Sequence, residues 1–352
     1  MLLEFPLVWG NQVVRAAIVC GVIVLVCEPL AIQLLRRLAV MDVPGQRSSH
    51  SRPTPRGGGA PIAVGLLAAA AIAGGPEAVP FIIAVAFFGA IGMLDDFRGL
   101  PARHRLVLQV AGSAAVAALL VTSDPLPLLA LVAIALLITV WVTGFVNAFN
   151  FMDGVNGISG GHALIGGLAY ACLGEWQQDR FLVAAGLAIA LGACAFLPWN
   201  IAKAQVFLGD VGSYSLGAAL ALLAATAVAR GVPPEAALGP LALYLADTAW
   251  TLQRRARLGE RWFEAHRTHV YQRWCDVGWS HQEVTLLTVA GTVLLSLLGM
   301  LSLFGRPGLR AVADLGALCV LAAYLGSPIL FARSTRPRGR HVRPRTTVIG
   351  CL

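Results

Sequence analysis

Long apolar runs dominate this chain, and polar residues arrive in short bursts between them. Eleven runs stand near residues 12–35, 58–75, 78–95, 105–123, 126–147, 160–174, 181–199, 212–229, 235–253, 283–304 and 309–331. Most approach or exceed the roughly 18 residues that carry a helix across a bilayer; the second and sixth are short, so their ends are soft. None alternates apolar with polar as the strands of a membrane barrel do, and only helices or closed barrels can span lipid. The pattern predicts an all-α, polytopic membrane protein of about eleven transmembrane helices. It forms one transmembrane domain over residues 1–331, followed by a basic tail over 332–352.

Composition agrees. The 352 residues are 57% hydrophobic and 12% charged, with a mean hydropathy of +0.75, whereas a soluble domain carries about 25% charged residues. Of the 25 Arg and one Lys, 21 follow odd-numbered runs or lie in the tail, and 5 fall on the other side. This asymmetry places the N-terminus outside and the C-terminus in the cytoplasm. The net charge of +8 therefore needs no nucleic acid; the tail either rests on anionic lipid or is solvated. The first 35 residues lack a charged start and a small-residue cleavage site, so the first helix is expected to be retained. Seven scattered cysteines form no CxxC and read as apolar filler. There is no soluble domain and no internal repeat. Nearly all the polar sequence lies on the cytoplasmic side, which favours chemistry at a surface over passage through the bilayer.

Chemistry concentrates where apolar runs stop. Asp95 and Asp96 end the third run. Adjacent helical positions point about 100° apart, so the pair need not share one role, and negative charge at a helix C-terminus is locally unfavourable. In NAFNFMDGVNG, residues 147–157, Asn147, Asn150, Asp153 and Asn156 recur every third position. On a helix they form one polar stripe, suited to a hard cation and to the edges of a nucleotide. WNIAKAQVFLGDVGS, residues 199–213, brings Asn200, Lys203 and a glycine-flanked Asp210, readable as a helix cap or as a metal and anion site. In DVPGQRSSHSRPTPRGGG, residues 42–59, Arg47, His50 and Arg56 can meet phosphate, and Gly57, Gly58 and Gly59 allow close backbone approach; a flexible basic loop is the alternative. EAHRTHVYQR, residues 264–273, can set His266 and His269, spaced i, i+3, on one helical face, with Arg267 and Arg273 nearby. With no further Cys or His close by, phosphate contact is favoured over structural zinc. Asp247, inside the ninth run, is expected to pair with Arg254 two turns on.

In this order, the segments resemble the polyprenyl-phosphate N-acetylhexosamine-1-phosphate transferases, glycosyltransferase family 4, from Asp42 to about Arg273. The sequence HRTH followed by YQR looks most like the O-antigen-initiating branch, and the absence of a triple His argues against the muramoyl-pentapeptide substrate. Asn156 stands where many bacterial members have Asp, and Lys203 where Pro is common. The resemblance implies Mg²⁺, or Mn²⁺, on Asp210 with Asn150, and Asp95, Asp96 and Asp153 as catalytic groups. It implies substrate binding by Arg47, His50, Asn147, Asn156, Asn200, Lys203, His266, Arg267 and His269.

It further implies a multi-pass protein of the bacterial inner membrane, its site facing the cytoplasm, working as a homodimer on a UDP-N-acetylamino sugar and undecaprenyl phosphate. The product would be a lipid-diphosphate-sugar that starts O-antigen or another surface polysaccharide. An ion-coupled transporter is the competing class. It calls for acids near mid-bilayer, and only Asp247 reads as lying appreciably within a span.

Overall fold

A computed structural model describes residues 11–44, 52–121, 126–260 and 267–334, with side chains as far as residue 328. It is nearly all helix: α1 (Asn11–Arg37), α2 (Ala60–Ala73), α3 (Ala78–Arg98), α4 (Ala102–Val121), α5 (Leu128–Phe151), α6 (Ile158–Gln177), α7 (Arg180–Asn200), α8 (Gly209–Ala229), α9 (Pro234–Leu238), α10 (Ala242–Arg257), α11 (Val270–Asp276), α12 (His281–Met300) and α13 (Pro307–Ser334). Every expected run is helical. Among the described residues, eight segments are long and apolar enough to cross a membrane. The ninth run is not one rod: α9 and α10 are separated by a 3-10 turn at Gly239–Leu241, where Pro240 has no N–H to continue the helix.

One pair of two-residue strands departs from the all-α expectation. β1 (Met41–Asp42) runs antiparallel to β2 (Thr54–Pro55). Beyond it, Phe207 N donates to the Pro55 carbonyl (2.8 Å), and Gly58 N and Gly59 N donate to the carbonyls of Phe207 and Leu208. The basic segment is thus tied at its C-terminal half. The N–H groups of Gly57, Gly58 and Gly59 are used on protein carbonyls, which corrects the expectation that they open the backbone to phosphate.

α8 is the central helix. Some 83% of its span is buried, against 11% for α13 and 22% for α5, whose leucines face outward. Lipid offers helices no hydrophobic drive to associate, so close packing through small residues must do it. α8 supplies these residues, and so do its neighbours. A Cβ on Gly92 of α3 would lie 2.2 Å from the Asp210 carbonyl oxygen, and one on Gly59 would lie 2.1 Å from Gly212 Cα.

The ends of α3, α5 and α7 and the start of α8 therefore meet at one end of the bundle. At the opposite end, Arg230 bridges Glu77 and Asp179, and Gln12 of α1 bonds the Ile72 carbonyl of α2. Glu28 of α1 is fully buried, with both carboxyl oxygens lacking a hydrogen-bond partner among the described residues. It is a second acid within a span, which the sequence reading missed.

Gly92→Ala is expected to lower thermal stability in detergent by about 1–3 kcal/mol through overpacking. Gly144→Ala, where nothing lies within 4 Å of the added methyl, should leave the melting temperature unchanged or slightly raised. Equal effects at the two positions would argue against the α3–α8 contact.

Candidate active site

The site is built on the turn into α8. Gly209 has φ +73°, and a Cβ there would lie 2.6 Å from both Asp96 Oδ2 and Gly57 N, so only glycine permits this approach. Across the gap, Asp96 Oδ1 accepts from Asp210 N (2.9 Å) and Asp96 Oδ2 from Val211 N (3.0 Å). Two otherwise orphaned N–H groups of the helix start are satisfied by an anion placed at the positive end of the dipole. The sequence left Asp210 readable as the cap of this helix or as a metal and anion site; the N–H groups of Asp210 and Val211 are held by Asp96. Asp210 occupies the first turn, while Leu208 takes the cap position.

Arg56 joins the carboxylates. Its Nε lies 2.7 Å from Asp96 Oδ1 and its Nη2 2.5 Å from Asp210 Oδ2. Burial alone would lower the guanidinium pKa, but the attraction of Asp210 and Asp96 outweighs it and raises the value. The other Asp210 oxygen accepts from Asn150 Nδ2 at 2.8 Å, and the same amide donates to Ser213 Oγ. Asp95 is aimed elsewhere. It accepts from Leu100 N (2.7 Å), Arg105 Nη1 (3.1 Å) and Tyr214 Oη (3.2 Å), fastening α4 and α8 to the end of α3. The adjacent pair thus splits, as the angular offset along a helix requires.

A cleft of about 370 Å³ opens beside this cluster, lined by Asp42, Arg56, Arg105, Asn150, Asp153, Asn156, Asn200, Asp210, Gln272 and His281, among others. Six sequence-predicted residues therefore meet there: Arg56, Asn150, Asp153, Asn156, Asn200 and Asp210. The polar stripe breaks, because α5 stops at Phe151. Asp153 and Asn156 follow in a turn, and Asn147 donates to Gln109 Oε1 and to the Thr143 carbonyl, away from the cleft.

Asn200 clamps two loops, accepting from Gly157 N and donating to the Val206 carbonyl. Lys203 is exposed and outside the lining. Arg267 pairs with Asp276 at 3.3 Å. His269, 2% exposed, turns Nδ1 to Asp247 at 3.0 Å and does not line the cleft. Among the described residues, Asp247 thus pairs with His269 and not with the expected Arg254. Arg47, His50 and His266 lie outside the described residues.

Asp42, Arg105, Gln272 and His281 escaped the sequence reading. Asp42 and Gln272 lay in segments already quoted but were not singled out there, and Arg105 and His281 carry no spacing signal. The donor set suits a small hard cation. Asp210 and Asp153 offer carboxylates, and Asn150 orients the Asp210 carboxylate through its NH₂ group, while the rest of the cleft stays open. Mg²⁺ is commonly held by one or two carboxylates plus water and phosphate, not by an all-protein cage. No group of three or more His, Cys, Asp or Glu forms a cage among the described residues.

Burial pushes the Asp153 carboxyl from the usual 3.8 up to about 6. The folded protein then holds this proton more tightly than the unfolded chain. Through this group, stability falls as pH rises from about 4 to about 6 and is flat above. In EDTA, Asp153→Asn is expected to melt higher than wild type at pH 7.5 and to converge with it near pH 4. A constant offset across that range would contradict the shift.

Comparison with known proteins adds a second kind of observation. The sequence model described as glycosyl transferase family 4 matches residues 78–228, the stretch from α3 through α8. The chain is 30% identical over 341 residues to the decaprenyl-phosphate N-acetylglucosaminephosphotransferase of Mycobacterium tuberculosis, covering 84% of each chain. It is 26% identical over 314 residues to a probable undecaprenyl-phosphate N-acetylglucosaminyl 1-phosphate transferase of Bacillus subtilis, covering 83% of this chain and 88% of that one. With the undecaprenyl-phosphate alpha-N-acetylglucosaminyl 1-phosphate transferase of Thermotoga maritima, identity is 29% over 273 residues, 75% of this chain and 82% of that one. Identity of 30% over 84% of the chain, and a family match over α3 through α8, place this chain in glycosyl transferase family 4, among the polyprenyl-phosphate N-acetylhexosamine-1-phosphate transferases.

Proposed function

We propose that the protein transfers an N-acetylamino-sugar 1-phosphate from a UDP-sugar to undecaprenyl phosphate, releasing UMP, at the cytoplasmic face of the bacterial inner membrane. The single observation that carries this reading is the convergence of Asp210, Asn150, Asp153 and Arg56 on one open polar cleft at the end of an apolar bundle. An acceptor with a long hydrocarbon tail keeps that tail in lipid while its phosphate meets a water-soluble donor. A cleft at the bundle's end suits both.

A lipid phosphate oxygen attacks the β-phosphorus of the UDP-sugar; the new P–O bond forms as the bond to UMP breaks. No bond at the anomeric carbon changes, so its configuration is kept. Phosphoryl transfer depends mainly on positioning and charge neutralisation, and the chain's own residues supply both. Arg56 and Arg105 present guanidinium groups to phosphate oxygens. Asp96 fixes the α8 turn so that Asp210 projects into the cleft, and Asn150 orients the Asp210 carboxylate. Asp153 faces the same space, where it would help hold the cation that the donor pyrophosphate meets. Asp210, with Asn150 and Asp153 nearby, would hold Mg²⁺. When bound, that ion would supply charge neutralisation of the pyrophosphate and the leaving UMP.

Eleven crossings with the N-terminus outside are part of the same reading. They are supported by Arg180, Arg230 and Arg310 lying at the end of the bundle away from the cleft, where they bond Gln12, Glu77, Asp179 and Glu235. A role in starting O-antigen is supported by the HRTH and YQR sequence, and a homodimer by family resemblance alone.

Purified protein given undecaprenyl phosphate, Mg²⁺ and a panel of UDP-N-acetylamino sugars is expected to release UMP with at least one donor. Asp210→Asn should lower that rate by about 10³-fold, in the range seen when a principal charge-stabilising group is removed, and EDTA should mimic the substitution. Arg56→Met should lower kcat more than it raises the donor KM. Proton-driven uptake in proteoliposomes without UMP release would instead establish the transporter.

A further inference from the structure

Asp247 lies on α10, is fully buried, and accepts from five groups. Thr251 Oγ1 (3.1 Å) belongs to its own helix. Tyr324 Oη (2.7 Å) comes from α13, while His269 Nδ1 (3.0 Å), Val270 N (3.1 Å) and Tyr271 N (3.4 Å) come from the 267–276 strap, at the cap and first two residues of α11. A buried carboxylate is tolerated only when its lone pairs are so occupied.

α11 has seven residues, far fewer than the roughly 12–15 an isolated helix needs, so its place is set by what it bonds to. Its first two N–H groups bond Asp247. From there Tyr271 Oη donates to the carbonyl of Phe151 at 2.9 Å. Phe151 is the last residue of α5, two before Asp153. A Cβ on Gly154 would meet Tyr271 Oη at 2.3 Å, and Gln272, which bonds Tyr271, lines the cleft.

We infer that Asp247 is a positioning residue for the transfer: it anchors the 267–276 strap and, through Tyr271, sets the turn that presents Asp153 to the donor. This rests on the proposed reaction for its kinetic consequence, but not for the anchoring itself. A carboxylate is required because both oxygens face donors. An Asn amide would turn its NH₂ group toward either His269 Nδ1–H and Val270 N–H or toward Tyr271 N–H, and a backbone N–H cannot reverse to accept.

The test is hydrogen exchange and steady-state kinetics on the full chain in lipid nanodiscs, for wild type, Asp247→Asn, Asp247→Glu and Tyr324→Phe. Asp247→Asn is expected to speed exchange in 267–276 by about tenfold, with the peptides holding Asp96 and Asp210 unchanged. The donor KM should rise about fivefold or more while the KM for undecaprenyl phosphate stays put. Asp247→Glu should restore part of both effects. Tyr324→Phe, which removes one bond and keeps the ring, should shift both in the same direction by less, and it decides the matter if Asp247→Asn does not fold. Unchanged exchange in 267–276, or faster exchange with unaltered donor KM and kcat, would overturn the inference. If no UDP-sugar is turned over by wild type, the proposed reaction fails, and the exchange result still decides the anchor.

Discussion

Asp96 of α3 holds two backbone N–H groups at the start of α8 and the guanidinium of Arg56 at once, and the geometry of the cleft follows from that contact. Hydrogen bonds to a charged group contribute about 1.5–3 kcal/mol each, and a buried charge stripped of its partner costs about 3–5 kcal/mol. Removing any member of this set therefore leaves the others uncompensated. The cluster is stable as a unit and unfavourable in part. That is why three segments distant in sequence, around residues 56, 96 and 210, are brought to one point.

The same contact explains the apolar scaffold around it. α8 can start at this spot only if its backbone comes close to α3 and to the segment before α2, and Gly92, Gly209, Gly212 and Gly59 provide the room. The charge cluster and the small-residue packing therefore depend on each other. A side chain at Gly92 would push against the Asp210 carbonyl and displace the carboxylate beside it. Packing in the bundle thereby reaches the position of a group in the cleft.

Much of the fold was legible in the sequence because a spanning helix must satisfy its backbone within itself, which leaves a long apolar run as its signature. The break between α9 and α10 and the two-strand ribbon at 41–42 and 54–55 were not legible. Each is decided by a few backbone bonds and leaves no periodic trace. Asp210, Asn150 and Asp153 could be singled out because carboxylates and amides at the end of an apolar run need a reason.

Their partners were harder to read. Asp247 was assigned to Arg254 from helical spacing, yet its bonds go to His269 and to backbone donors that no local pattern announces. Arg56 was read as a phosphate contact. Its simultaneous grip on Asp96 and Asp210 depends on a ribbon and on residues 206–208, which only the folded chain brings together. The central claim is that these separate segments form one cation-dependent phosphoryl-transfer site on Asp210. Its most direct test is an anomalous diffraction map of the protein crystallised with Mn²⁺ and UDP. The account predicts a single strong peak about 2.0–2.2 Å from an Asp210 carboxylate oxygen, the distance expected for a small hard cation, with the UDP phosphates in the cleft beside Asp153. A peak distant from Asp210, or UDP bound elsewhere with the Arg56–Asp210 pair intact, would contradict it.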